Sequence, residues 1–323
     1  MQYRALGKTG LSVSAIGFGA STLGNVFAEI PPSGDATLVG KAIDAGINFF
    51  DVAPYYGLGL AEERLGIALR PYRKDVVLAT KCGRYGADRF DFSAKGIFTL
   101  VEESLRRLRT DAVDLLQVHD VEFGDINQII QETLPALAEL KRQGKTRFIG
   151  ITGYWPNLLA KIAREHSVDT VLNYCHSNLL ANDMDQVLMP AAQASGFGLI
   201  NASPLHMGLL GGGPIPDWHP APNAVRKASS AVIDLCRFRQ VEPASLAIWN
   251  CLQNTAVATT LVGLANVSQL DSAYEALTLK PNEELLSEIS KVIAPAHNLS
   301  WPQGRPENQD RSFAIEPKFA EIY

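Results

Sequence analysis

Short apolar segments alternate with amphipathic ones eight times along this chain, and no other feature restricts its fold as much. IGFGAS (16–21) leads to DATLVGKAIDAG, NFFDVA to LAEERLGIALR, VVLATKCG to a helical stretch from Ser93 to Arg109, and VDLLQVHD to INQIIQETLPALAELKRQG. RFIGIT then leads to WPNLLAKIARE, TVLNYC to MDQVLMPAAQASG, GLINASP to APNAVRKASSAVIDLCRFR, and TTLVGL to VSQLDSAYEAL. The apolar segments are dense in Val, Ile, Leu and Phe rather than alternating, as parallel strands are when helices cover one face and a packed interior the other. Gly46, Gly144 and Gly196 precede strands, where a left-handed residue closes the helix before. The expected fold is α/β: a (β/α)8 barrel occupying 1–323 as one domain, entered through a β-hairpin in RALGKTGLSVS that turns at Gly10. A doubly wound sheet is the competitor, but the first βα junction, GFGASTLGNVF, lacks GxGxxG spacing.

Three additions to the repeat are expected to shape a pocket: the loop LLGGGPIPDWHPAP (209–222), an extra helix in PASLAIWNCLQN, and a tail from Pro295 to Tyr323 over the active-site face. With 46% hydrophobic residues, 20% charged residues and a net charge of −5, the chain has material for a large core and no basic surplus for nucleic acid or an anionic membrane. A small-molecule partner fits better. No stretch approaches the roughly 20 apolar residues that span a bilayer, and MQYRALGKTG lacks the apolar core of a secretion signal, so the expected location is cytoplasmic. Cys82, Cys175, Cys236 and Cys251 show no CxxC spacing and read as reduced, buried thiols rather than disulfide or zinc ligands.

In a βα barrel, chemistry sits at the carboxyl ends of the strands. Three neighbouring strands end there on polar residues: NFFD at Asp51, VVLATK at Lys81 and LLQVH at His119, with Tyr56 in the loop leaving the first of them. Each alone has a structural explanation as a cap, a snorkelling lysine or a packing ring. Together they suit proton transfer. A nearby ammonium favours phenolate, so Lys81 is expected to lower the Tyr56 pKa, with Asp51 holding Lys81 and His119 orienting a substrate oxygen. That is acid–base chemistry on a carbonyl/alcohol pair, with a redox cofactor carrying hydride.

The run RALGKTGLSVSAIGFG, the D-x-x-x-x-Y of FDVAPYYG, the strand-end Lys81 and His119, GKTRFIGIT and the SPL…GLL run at 203–210 together resemble the aldo-keto reductase family over nearly the whole chain. NFFDVAPYYG, VLATKCGRYG, HDVEFG, ELKRQGKTRFIGITG, ASPLHMGLL, WHPA and NLSWPQG are most similar to its plant members that oxidise L-galactose. The resemblance implies a tetrad of Asp51, Tyr56, Lys81 and His119, with Tyr56 as general acid/base. It also implies nicotinamide contacts at Gly19, Thr152, Gly153 and Asn173, a pyrophosphate loop at Ser203, Leu205 and Gly208, and an adenosine end at Gly263, Asn266 and Gln269. Two departures stand out. Ala202 replaces the aromatic residue that many members stack on the nicotinamide, and VGLANVSQLDSA lacks the basic pair of NADPH-preferring members. A 2′-phosphate would be poorly compensated there, so NAD is the expected cofactor.

The implied reaction is oxidation of a free aldose, L-galactose foremost, at C1 to its lactone, with His119, Trp155, His176 and Trp301 as sugar contacts and Trp218 as a further aromatic candidate. The rivals are another aldose of L-fucose or D-arabinose type, NADPH-dependent aldehyde reduction, and a cofactor-binding regulatory subunit of the potassium-channel β kind. Family members occur as monomers and as dimers, which leaves a homodimer open.

Overall fold

The computed structural model describes residues 1–26, 29–215 and 218–310. Eight parallel strands close into a barrel in the order β10-β3-β4-β5-β6-β7-β8-β9. After the antiparallel pair β1 (Tyr3–Ala5) and β2 (Ser12–Ser14), they are β3 (Ile16–Gly19), β4 (Phe49–Asp51), β5 (Val77–Cys82), β6 (Val113–Val118), β7 (Thr146–Gly153), β8 (Thr170–Tyr174), β9 (Gly198–Ala202) and β10 (Val257–Gly263). Helices α1 (Asp35–Asp44), α2 (Leu60–Leu69), α3 (Ala94–Leu108), α4 (Ile126–Gln128) with α5 (Leu134–Arg142), α6 (Pro156–Glu165), α7 (Asp183–Ser195), α8 (Asn223–Phe238) and α10 (Val267–Glu275) follow successive strands. The expected extra helix is α9 (Pro243–Leu252). The (β/α)8 reading therefore holds, including the left-handed Gly46, Gly144 and Gly196.

Side chains alternate along a strand, which separates two apolar layers. Phe50, Leu78, Leu116 and Ile151 face the helices. Phe49, Val77, Ala79, Leu115, Leu172, Ile200 and Leu261 pack inward, and the hairpin adds Leu6 and Val13 to the same cluster. The hairpin is thus a plug at the amino-terminal end of the barrel. Its Gly7, at φ +54°, lies so close to the backbone of Phe197 and Gly198 that a β-carbon has no room. With that end shut, the inward alternation carries on toward the other: Asp51 follows Phe49, Lys81 follows Ala79, and Gln117 and His119 follow Leu115.

Two elements differ from expectation. The stretch INQIIQETLPALAELKRQG is not one regular helix, because a π-helical turn (Ile129–Thr133) lies just ahead of Pro135, which has no N–H to continue the ladder. An unanticipated helix, α11 (Glu283–Ile293), follows α10; Asn282 caps it by accepting from Leu285 N–H at 2.8 Å. The tail is expected over the catalytic rim, and residues 295–310 lie there. Asn298 N–H donates to Leu180 O at 3.0 Å, and Arg305 N–H to Glu122 O at 2.9 Å. Residues 311–323 of that expectation lie outside the described residues.

Candidate active site

Asp51, the last residue of β4, and Lys81, one residue from the end of β5, meet as a fully buried ion pair. The Lys81 ammonium has three protons and three acceptors: Asp51 Oδ1, Val52 O at 3.0 Å and Tyr56 Oη at 3.4 Å. Gln117 Nε2 holds the other Asp51 oxygen at 3.0 Å. Burial works to lower the Lys81 pKa, but Asp51 and then Tyr56 outweigh it and keep the ammonium above its ordinary value. Burial raises the Asp51 carboxyl too, and the Lys81 charge and hydrogen bond, with that from Gln117, offset it only in part. The His119 ring packs edge-on to Tyr56 at 5.7 Å, which completes the expected tetrad in one place.

One electrostatic expectation fails. The Tyr56 phenol is pushed above its ordinary pKa, because burial is the largest influence and Lys81, lowering it, does not compensate; Asp51 and Asp120 push it further up. At rest Tyr56 is a phenol, not a phenolate. His119 is likewise held neutral, burial taking its pKa down to about 3.

The cofactor candidates form a continuous track. Asn173 donates to Gly153 O at 2.9 Å and Tyr154 O at 2.8 Å, leaving Oδ1 as a buried acceptor without a partner. Such an oxygen suits a carboxamide N–H. The Thr152 hydroxyl accepts from Asp120 N–H at 2.9 Å and so braces the neighbouring loop instead of pointing free. Gly19 and Gly263 pair in register across the β3–β10 seam, a notch without side chains. Ser203, His206, Met207 and Gly208 all have positive φ, from 51° to 100°, in the run that also holds Leu205. These left-handed residues build a series of tight turns, in which His206 N–H donates to Ser203 O at 2.9 Å and Gly208 N–H to Leu205 O at 3.0 Å. Asn266 accepts from Gln269 N–H at 2.9 Å, and Gln269 Oε1 from Ala265 N–H at 2.7 Å; both side chains cap α10. These residues fit a nicotinamide dinucleotide.

The aromatic sugar candidates separate. Trp155 is fully buried and donates Nε1–H to Gln303 O at 2.8 Å, so it anchors the tail. His176 is buried 2.8 Å from Asp183, with the Tyr154 ring at 4.4 Å. Trp301 packs on Tyr154 and His206, its Nε1–H buried without an acceptor. Trp218 is 52% exposed and stacks on His219. All four cysteines are free and buried, and burial pushes Cys82, beside Lys81, far above its ordinary value. Among the described residues no group of three or more His, Cys, Asp or Glu is placed to hold a metal, and no helix is long and apolar enough to cross a membrane.

Several site residues escaped the sequence reading. Gln117 had a signal, since it shares the inward face of β6 with His119 at period two. Arg84 and Asp120 lie in loops, and Glu122 in a short 3₁₀ turn, Val121–Phe123. Arg84 bonds Asp120 at 2.5 Å and is sandwiched between Tyr55 at 4.2 Å and Phe123 at 4.4 Å. Glu122 accepts from Tyr154 N–H at 3.0 Å and Tyr174 Oη–H at 3.2 Å.

A proton-transfer group, a charged support and a dinucleotide track on the carboxyl rim of a parallel barrel describe an oxidoreductase of alcohols and carbonyls. Residues 15–294 match the Aldo/keto reductase family, and the chain belongs to it. It is 43% identical to an L-galactose dehydrogenase of Arabidopsis thaliana over 95% of this chain and 99% of that one. It is 30% identical to a D-threo-aldose 1-dehydrogenase of a Pseudomonas species, over 89% and 96%. Among solved structures, the holo form of an aldo-keto reductase from Bacillus halodurans superposes with a TM-score of 0.75 at 28% identity, covering 90% of this chain and 96% of that one.

Proposed function

We propose that this protein oxidises a free aldose at C1 to its lactone, L-galactose foremost, with NAD as hydride acceptor. The observation that carries this reading is the Lys81 ammonium, held by Asp51 and donating to Tyr56, beside His119. The names of two relatives, both dehydrogenases of aldoses, supply the substrate class.

When bound, the nicotinamide ring supplies the hydride acceptor. Tyr56 takes the C1 hydroxyl proton in its ionised form, a minor species at neutral pH that the Lys81 charge stabilises. His119, neutral, hydrogen-bonds and orients the reacting oxygen. Asn173 Oδ1 would hold the carboxamide, and the 203–208 loop would lie along the pyrophosphate. NAD is favoured over NADP by the absence of Lys and Arg from residues 263–275. A dianionic 2′-phosphate beside that stretch would meet no cationic side chain from it.

The test is NADH formation across an aldose panel with NAD and with NADP. Turnover of L-galactose with NAD, at least about tenfold above NADP, is the expected result. Faster reduction of aldehydes with NADPH would replace this reading, and inactivity on every sugar and aldehyde would favour a regulatory, cofactor-binding role.

A further inference from the structure

Tyr56 is followed by three left-handed residues, Gly57, Leu58 and Gly59, at φ 63°, 54° and 98°. A leucine rarely adopts that conformation, and this one gains no burial by it, being 79% exposed. The strain persists because both neighbours are held. Gly59 lies against Arg107, whose Cδ would be 2.8 Å from a β-carbon there. Gly57 lies against Gly24, the last residue of a largely buried 3₁₀ turn, Ala20–Gly24, that leaves β3. A β-carbon on Gly57 would stand 2.5 Å from Gly24 O, and one on Gly24 would stand 2.6 Å from both C and O of Tyr56. Two backbones thus touch directly, with no side chain between them that could give way.

The turn is itself tied down. Thr22 Oγ1–H donates to Leu264 O at 2.5 Å, one residue beyond the Gly19–Gly263 notch. On its own loop Tyr56 N–H donates to Ala53 O at 3.1 Å, and Tyr56 O accepts from Ala61 N–H at 3.2 Å. The phenol, by contrast, reaches Lys81 Nζ only at 3.4 Å, the long end of hydrogen bonding, where a small displacement breaks contact. We propose that Gly24 is a positioning residue: the lack of a side chain there lets the Tyr56 main chain sit at the depth from which its Oη reaches Lys81. A methyl group 2.6 Å from backbone atoms, against the ~3.5 Å at which carbons rest, forces a shift of roughly 1 Å. Misplacement of that size costs about 10²-fold in rate. The effect on turnover rests on the reading of Tyr56 as the proton-transfer group; the backbone seat itself does not.

The test compares Gly24→Ala with Gly34→Ala, the same change in the same β3–α1 connection, where a β-carbon meets nothing within 4 Å. On the alcohol or aldehyde that the unaltered protein turns over, Gly24→Ala should lower kcat about 10²-fold while KM for that substrate moves less than about threefold. Gly34→Ala should leave both unchanged. In a Tyr56→Phe background the loss caused by Gly24→Ala should shrink to about twofold or less, because the hydroxyl it displaces is gone. An equal loss in both backgrounds would mark a merely structural effect and overturn the proposal, as would full turnover in Gly24→Ala. A crystal structure of Gly24→Ala reads the seat without activity: Tyr56 should move by roughly 0.5 Å or more, with Oη drawn off Lys81, and a tyrosine still in place rejects the proposal. A protein inert on every sugar and aldehyde, with Tyr56 displaced in that structure, would reject the proposed reaction and leave the seat standing. Should Gly24→Ala not fold, Gly57→Asn takes its place with the same expected outcomes, since asparagine tolerates a left-handed backbone yet its β-carbon meets Gly24 O. Failure of both to fold would make the contact a folding requirement and reject the positioning role.

Discussion

Tyr56 and Lys81 are buried together, and burial acts on them in opposite senses that only their mutual contact reconciles. Because the Tyr56 pKa is raised, its base form grows with pH and is not complete within the neutral range. Oxidation is accordingly expected to quicken with rising pH without a plateau below about 10, the ordinary tyrosine value, in a pH profile of turnover. Tyr56→Phe should lower turnover about 10²–10⁴-fold, the span of one acid–base group, and leave the NAD dissociation constant unchanged in fluorescence titration. Lys81→Met strands Asp51 without its cation. In denaturant melts it should cost about 3–5 kcal/mol at neutral pH and less in acid, where Asp51 can take up a proton. At this scale Asp51, Lys81 and His119 were legible from strand ends, Tyr56 from the loop leaving the first of them, and Gln117 was recoverable from β6 alternation. The direction of the Tyr56 shift was not, because it depends on how much protein surrounds the phenol, and sequence spacing carries no burial.

Loops and caps behave differently from strands. The 203–208 run turns on left-handed residues, of which Gly208, at φ +100°, has no contact within 4 Å of where a β-carbon would lie. Gly208→Ala therefore meets backbone strain without a clash, about 1–3 kcal/mol confined to the loop. It is expected to raise the KM for NAD severalfold in steady-state kinetics while the melting temperature moves little. Strand and helix existence was legible here because period-two and period-3.6 patterns are local. The π-turn before Pro135 and the cap at Asn282 had local signals that went unread. The double use of Asn266 and Gln269 as caps had only weak ones, since an Asn three residues before a Gln suits a cap and a ligand contact equally well.

For the whole molecule, the tail matters most. Glu122 O accepts both Arg305 N–H and Asn308 Nδ2, while the Glu122 carboxyl sits buried beside Asp120 with Oε2 unpartnered. Burial first, and Asp120 second, push that carboxyl up to about 8, from an ordinary 4.5. A raised carboxyl pKa means stability is fully present below the unfolded value and is lost as pH rises through the folded one. Glu122→Gln should consequently melt higher than the unaltered protein as pH goes from about 4.5 to 8, the gap widening by up to about 1.4 kcal/mol per pH unit, followed by thermal melts across that range.

By itself the sequence determined the barrel, the entry hairpin and the polar strand ends at Asp51, Lys81 and His119, because each is written in local periodicity or in which residue ends a strand. Only the tertiary structure decided that Trp155 anchors the tail instead of facing an open pocket, that Tyr56 rests as a phenol, and that Asp120 stands against His119. Those outcomes depend on which distant groups exclude water from one another, from Gln303 beside Trp155 to Arg84 beside Asp120, and such meetings are set by closure of the barrel, not by spacing along the chain.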